Sequence, residues 1–171
     1  MAGWSIFTDA VGAFLAKYLA YLLGLVAVFF IFKQDGWKMR IKFFLQAALV
    51  AIVSRGILTE IIRFLYDRPR PFVALGFSPL VGESGASFPS GHAAFFFALG
   101  FVIFLINRHW GYWFLSLSLL NGLARIFVGV HYPSDILGGI LIGLAAWGLV
   151  HFLLNRKEVA PEAVIDNPGP L

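Results

Sequence analysis

Residues 11–32 read VGAFLAKYLAYLLGLVAVFFIF, an apolar run interrupted by one charge, Lys17. A helical bilayer crossing takes about 20 such residues, so the run is long enough to span. Further runs follow at about 43–66, 90–106, 110–128 and 136–154. Inside hydrocarbon every backbone N–H and C=O must be satisfied within the protein, and helices do this segment by segment. The sequence therefore predicts an all-α integral membrane bundle of five to six transmembrane helices. Composition agrees where it discriminates: 60% of the residues are hydrophobic and 13% charged, against about a quarter charged in soluble domains. One transmembrane domain over 1–155 takes up the length. Residues 156–171 read as a short cytoplasmic tail, polar and proline-containing, expected to be disordered.

Several function classes fall away. The net charge of +4 is spread over short loops and isolated intramembrane positions rather than one basic face, so no nucleic-acid partner is expected. The absence of cysteine removes disulfides, a thiol nucleophile and Cys-based metal sites. The opening MAGWSIFTDA lacks the basic region and cleavage site of a signal peptide; it reads as interfacial, with Trp4 as an anchor and Thr8 or Asp9 as a helix cap. Lys33, Lys38, Arg40, Lys42, Arg108, Arg156 and Lys157 fall on one side of a five-span chain, with Trp37, Trp110 and Trp113 at the same boundary. The positive-inside rule assigns that side to the cytoplasm. Lys17 is expected to snorkel to the headgroups. Gly138, Gly139 and Gly143 read as points of close helix packing.

The other side collects the polar groups. The second span carries Ser54, Arg55, Glu60 and Arg63, and ionisable groups at such depth normally face a bundle interior or an aqueous cavity. Glu60 and Arg63, three apart, can pair on one helix face. Arg55 and Glu60 read equally as a lock between helices or as part of a site. Residues 67–89, DRPRPFVALGFSPLVGESGASFP, end the helix with prolines and glycines and make the longest loop, more than a tether requires. Asp67 and Arg68 at its start read as a solvated turn. Three pieces share this face: Arg63 with Arg70-Pro71, then Pro89-Ser90-Gly91-His92, then Arg125, His131 and Asp135.

The order Arg63-x6-Arg70-Pro71, Pro-Ser-Gly-His, Arg125-x5-His131-x3-Asp135 resembles the type 2 phosphatidic acid phosphatase (PAP2) superfamily over about 63–139. These are integral membrane lipid phosphatases related to vanadium haloperoxidases. Two positions depart from the usual pattern: Arg63 stands where Lys is normal, and Ala124 where a Ser precedes the arginine. Arg63 keeps the charge and adds a planar fork. The resemblance implies a PAP2/vanadium haloperoxidase-like bundle hydrolysing a phosphate ester or anhydride. In it Arg63, Arg70 and Arg125 cradle the phosphate oxygens without a metal. Ser90, at a helix N-cap position, and the Gly91 amide add donors, and Gly91 lets the backbone approach closely. His131 is implied as nucleophile through a phosphohistidine, Asp135 as the group that orients it, and His92 as general acid and then base.

Other readings of the same residues remain. His92 and His131 could be helix-terminal interfacial histidines, and Asp135 a simple cap of the fifth span. His109 and His151 receive no chemistry. A metal is set aside, since no His-x-x-x-His or Glu-x-x-His pair is present and arginines repel a cation; no cofactor is expected. A site among spans implies a lipid phosphate or diphosphate substrate amid membrane lipids. The wording DRPRPFV, ASFPSGH and ARIFVGVHYPSDILG looks most like small bacterial members that convert undecaprenyl diphosphate to the monophosphate on the extracytoplasmic face of the cytoplasmic membrane. Phosphatidylglycerophosphate, phosphatidate and lipid A phosphatases use the same scaffold. A different class is a small membrane transporter or binding protein that holds an anion without turnover. Oligomeric state is not legible.

Overall fold

The computed structural model describes residues 6–156; Trp4, Lys157 and the tail lie outside them. Its elements are all helical: α1 (Ile6–Phe32), α2 (Trp37–Ala51), a π-helical segment (Ile52–Leu58), α3 (Thr59–Leu65), α4 (Pro71–Leu75), α5 (Gly91–Ile106), α6 (Arg108–Phe127) and α7 (Pro133–Asn155). α2, the π segment and α3 run on as one helix, Trp37–Leu65, which with Ile6–Phe32 and Pro133–Asn155 is long and apolar enough to cross a membrane. The apolar α5 is shorter. Large apolar side chains such as Phe14, Leu25, Phe29, Leu137 and Leu141 are exposed, as lipid-facing surfaces require. The protein is an integral membrane helical bundle.

α5 is the axis of the bundle. Ala93, Ala94, Phe96, Phe97, Ala98, Leu99, Val102 and Ile103 are all buried, whereas α1 and α7 each bury one stripe and expose the rest. Small residues let the neighbours come close. A Cβ on Gly139 would lie 2.6 Å from the Ser90 carbonyl oxygen, one on Gly143 2.8 Å from that of Ala94, and one on Gly138 2.6 Å from the Phe88 ring. The packing role expected for these three glycines is therefore observed, and Gly139 and Gly143 draw α7 against α5. Asn121 of α6 donates to the Leu15 and Ala16 carbonyls at 2.7 and 3.2 Å, clamping α6 to α1.

Three local features differ from expectation. The second span is not a regular helix: the Thr59 amide reaches back to the Ser54 carbonyl across the π segment, and the Thr59 hydroxyl donates to the same oxygen at 2.8 Å. The long loop contains α4, with Pro71 in its first turn and Gly76 in the left-handed conformation (φ 68°) closing it. α1 begins at Ile6, so Thr8 and Asp9 lie inside its first turn rather than before it. At the other end of the bundle, Phe30 packs on Trp110 with ring centroids 5.4 Å apart. The 33–36 and 107 connections therefore share the end opposite the 67–89 loop.

Candidate active site

The connection between α6 and α7 turns at Gly129, whose φ of 82° suits glycine and where a Cβ would fall 2.5 Å from the Phe77 ring. His131 follows and is buried against Asp135 of the first turn of α7. Its Nδ1 lies 3.3 Å from Asp135 Oδ2. That oxygen also accepts from the Tyr132 amide at 2.8 Å, which caps α7, and from the Ser87 hydroxyl. Asp135 therefore both caps the helix and holds the histidine. Oδ1 accepts from Arg68 Nη1 at 2.9 Å. A carboxylate so surrounded by donors is ionised, which makes Nδ1 the protonated ring nitrogen and leaves Nε2 with its lone pair. Nε2 lies 3.5 Å from Arg70 Nη1. Burial pulls the His131 imidazole below its ordinary range; the bond to Asp135 opposes this, and Arg125 and Arg70 add to it.

Arg68 corrects the sequence reading. It is not a solvated turn residue: besides Asp135 it donates to the Ser134 hydroxyl at 2.7 Å and stacks 3.9 Å over the Tyr132 ring. Asp67 is exposed, as a turn residue should be. The Ser87 amide donates to the Arg68 carbonyl at 2.8 Å, and the Ser90 amide to the Asp135 carbonyl at 2.9 Å. Both ends of the long loop are thereby sewn to α7.

The arginines converge but are not equivalent. Arg70 spends its donors on the carbonyls of Gly85 (3.0 Å), Ser84 (2.9 Å) and Val130 (3.1 Å), so it shapes the loop as well as facing His131. Arg125 pairs with Glu83 and reaches the Ala16 carbonyl at 3.5 Å. Arg63 donates to the Pro89 carbonyl at 3.1 Å and lies 3.5 Å from Glu60. The Nε atoms of Arg63 and Arg125 are buried without a partner among the described residues. Glu83, overlooked in the sequence, sits between Arg125 and Arg70, 3.6 Å from the latter. Burial would raise its carboxyl, yet the Arg125 and Arg70 charges hold it below the usual range. It is an internal anion in the arginine cradle. An acidic residue set between Gly82 and Gly85 in a loop flanked by arginines was the available signal.

The Pro-Ser-Gly-His piece opens α5. Ser90 caps the helix as expected, its hydroxyl accepting from the Ala93 amide at 3.4 Å. At Gly91 a Cβ would fall 2.5 Å from Nε of Arg55, so the missing side chain admits that guanidinium. Arg55 in turn pairs with Glu60. His92 makes no hydrogen bond among the described residues. It lines a cavity of about 860 Å³ with Glu83, Arg125, Arg55 and Lys17. His131 lines a separate cavity of about 230 Å³, and Leu80 borders both. The two histidines, expected across one cleft, thus face different cavities while Glu83 occupies the cradle.

A buried carboxylate-bound histidine beside clustered guanidiniums, at one end of a membrane bundle, defines a class of membrane phosphatase. The sequence model of the PAP2 superfamily matches residues 44–158, and the chain belongs to that superfamily. It is 35% identical over 165 residues to the bacitracin transport permease protein BcrC of Bacillus licheniformis, covering 89% of this chain and 79% of that one. It is 32% identical over 151 residues to the undecaprenyl-diphosphatase BcrC of Bacillus subtilis, covering 86% and 74%. Its fold matches the crystal structure of Aquifex aeolicus LpxE with a TM-score of 0.66 at 24% identity, over 86% and 87% of the two chains. The protein is a PAP2-type lipid phosphatase.

Proposed function

We propose that this phosphatase removes the terminal phosphate of a lipid diphosphate, undecaprenyl diphosphate, through a phosphohistidine on His131. The observation that carries the reading is His131 itself, with Nδ1 held by an ionised, fully engaged carboxylate and Nε2 left unprotonated, 3.5 Å from Arg70. Nε2 attacks the terminal phosphorus in line, and the bond from that phosphorus to the bridging oxygen breaks. His92 gives the leaving oxygen its proton, and Asp135 stabilises the imidazolium character that develops on His131. Water, deprotonated by His92, then cleaves the P–N bond and releases inorganic phosphate. Arg125, Arg63 and Arg70 neutralise the equatorial oxygens, with the unpartnered Nε donors of the first two waiting for an anion. The Ser90 hydroxyl and Gly91 amide lie at the positive end of α5 and add donors. Glu83 must leave the cradle for the phosphate to enter.

Three cations in the cradle supply the charge a metal would otherwise bring, and the reaction proposed is metal-independent. The diphosphate substrate is favoured by the relative named undecaprenyl-diphosphatase, which matches over most of both chains. Phosphatidylglycerophosphate, phosphatidate and lipid A are the competing substrates within the class. The basic loops at the opposite end support a cytoplasmic-membrane protein with its site extracytoplasmic. The test is phosphate release in detergent with EDTA present, from undecaprenyl diphosphate and from phosphatidate. Release by the wild type and none by His131→Ala is expected; turnover that chelation abolishes contradicts the metal-independent route, and a wild type inert on undecaprenyl diphosphate contradicts the proposed substrate.

A further inference from the structure

The 860 Å³ cavity holds two cations that the chemistry above does not use, Arg55 and Lys17. Lys17 lies eleven residues into α1, about 16 Å along the helix from its start. Its neighbour Ala16 offers its carbonyl to Arg125 and Asn121, so the ammonium stands at the depth of the cradle. It contacts the Tyr18 ring at 5.5 Å and has no carboxylate partner among the described residues. An unpaired ammonium at such depth is costly unless it faces an aqueous or anionic space.

Arg55 comes to the same cavity through the π segment. In a regular helix, positions eight apart sit about 80° from each other, which would turn Arg55 away from the face of Arg63. The extra residue of a π turn removes about 100° and brings both arginines onto one face, where both meet Glu60. Arg55 then packs against Gly91, next to His92. His92 is the proton donor to the leaving oxygen, so Arg55 stands on the leaving-group side of the reaction.

We infer that Arg55 and Lys17 form a second phosphate subsite, which takes the lipid-linked phosphate of a diphosphate and sets the preference for diphosphates over monophosphates. This rests on the diphosphate reading above. The lipid-linked phosphate remains on the leaving group and gains charge as the bridging bond breaks. A guanidinium with one donor engaged by Glu60 has others to offer, and the Lys17 ammonium lines the same cavity. A lipid monophosphate has nothing to place there.

The test compares an isoprenyl diphosphate with the monophosphate of the same chain, measuring phosphate release from the full-length protein in detergent. Arg55→Gln and Lys17→Gln should each lower the ratio of the two kcat/KM values by about ten-fold or more, carried by a raised KM for the diphosphate. Arg55→Lys should recover part of the ratio. Lys17 is exposed and makes no ion pair among the described residues, so its variant keeps the test open if Arg55→Gln fails to fold. Equal losses on both substrates, or a wild-type preference for diphosphate that neither substitution moves, overturn the inference alone. A wild type that favours the monophosphate overturns the diphosphate reading and the inference together.

Discussion

The two histidines sit in opposite kinds of surroundings. His131 is buried, bound through Nδ1 to a carboxylate that itself accepts from Tyr132, Ser87 and Arg68. His92, in the first turn of α5, is half-buried, makes no hydrogen bond among the described residues and faces a cavity of about 860 Å³. A nucleophile gains from being held in one tautomer and one orientation before the substrate arrives. A proton donor must follow a leaving group that changes position as its bond breaks, and an untethered ring in an open space can do so. The difference separates a prebuilt half of the site from a half that the substrate completes. Glu83, bridging Arg70 and Arg125, stands at their junction.

The largest effect should come from breaking the prebuilt half. Asp135→Asn keeps the shape but removes the charge that fixes the His131 tautomer, and kcat should fall about 10³- to 10⁴-fold. A loss below ten-fold in a phosphate-release assay would mean that the carboxylate only caps α7. Breaking the other half should cost less: His92→Ala should lower kcat about 10²- to 10³-fold on a lipid substrate, and far less on an aryl phosphate whose leaving group needs no proton. Equal losses on both substrates would deny His92 that role.

Arg68 sharpens the comparison, since its side chain acts on the site through Asp135, Ser134 and Tyr132. Arg68→Ala should lower kcat about ten-fold and stability by about 1–3 kcal/mol, the range for a hydrogen bond to a charged group; thermal unfolding in detergent beside kinetics measures both. The smallest effect is a pH dependence. The folded-state His131 titrates below its ordinary value of 6.5, so between the two values the unfolded chain binds the extra proton and stability rises with pH. The contribution is lost as pH falls through that window, and His131→Gln should flatten that part of the curve of melting temperature against pH.

The spans were legible because a bilayer leaves one solution to a long apolar run, and the five long helices follow those runs to within six residues. α4 carries its own marks, Pro71 at the start and Gly76 at the end, but they lie in a loop that proline and glycine dominate throughout. The π segment has no such mark: Gly56 within it meets no neighbour, and the wide turn is fixed by where Arg55 and Ser54 pack. In the site, Arg63, Arg70, Ser90, Gly91, His92, Arg125, His131 and Asp135 could be singled out because their order along the chain resembles the PAP2 pattern. Arg68, Ser87 and Glu83 could not. Arg68 and Ser87 reach Asp135 across 67 and 48 residues, and Glu83 reaches Arg125 across 42. Such contacts exist only once the loop has folded against α6 and α7. Lys17 and Gly91 were visible, but the cavity that Lys17 lines and the Arg55 side chain packed on Gly91 exist only in the fold.

The central claim is that the held histidine is the one that attacks. Rapid acid-free quenching of wild-type protein turning over a lipid diphosphate labelled in its terminal phosphate, followed by peptide mapping under alkaline conditions, addresses it directly. The account predicts label on His131, absent from His131→Ala and still formed in His92→Ala, which lacks the group proposed to activate the hydrolytic water. Label on His92, or turnover with no phosphoenzyme at all, would contradict it.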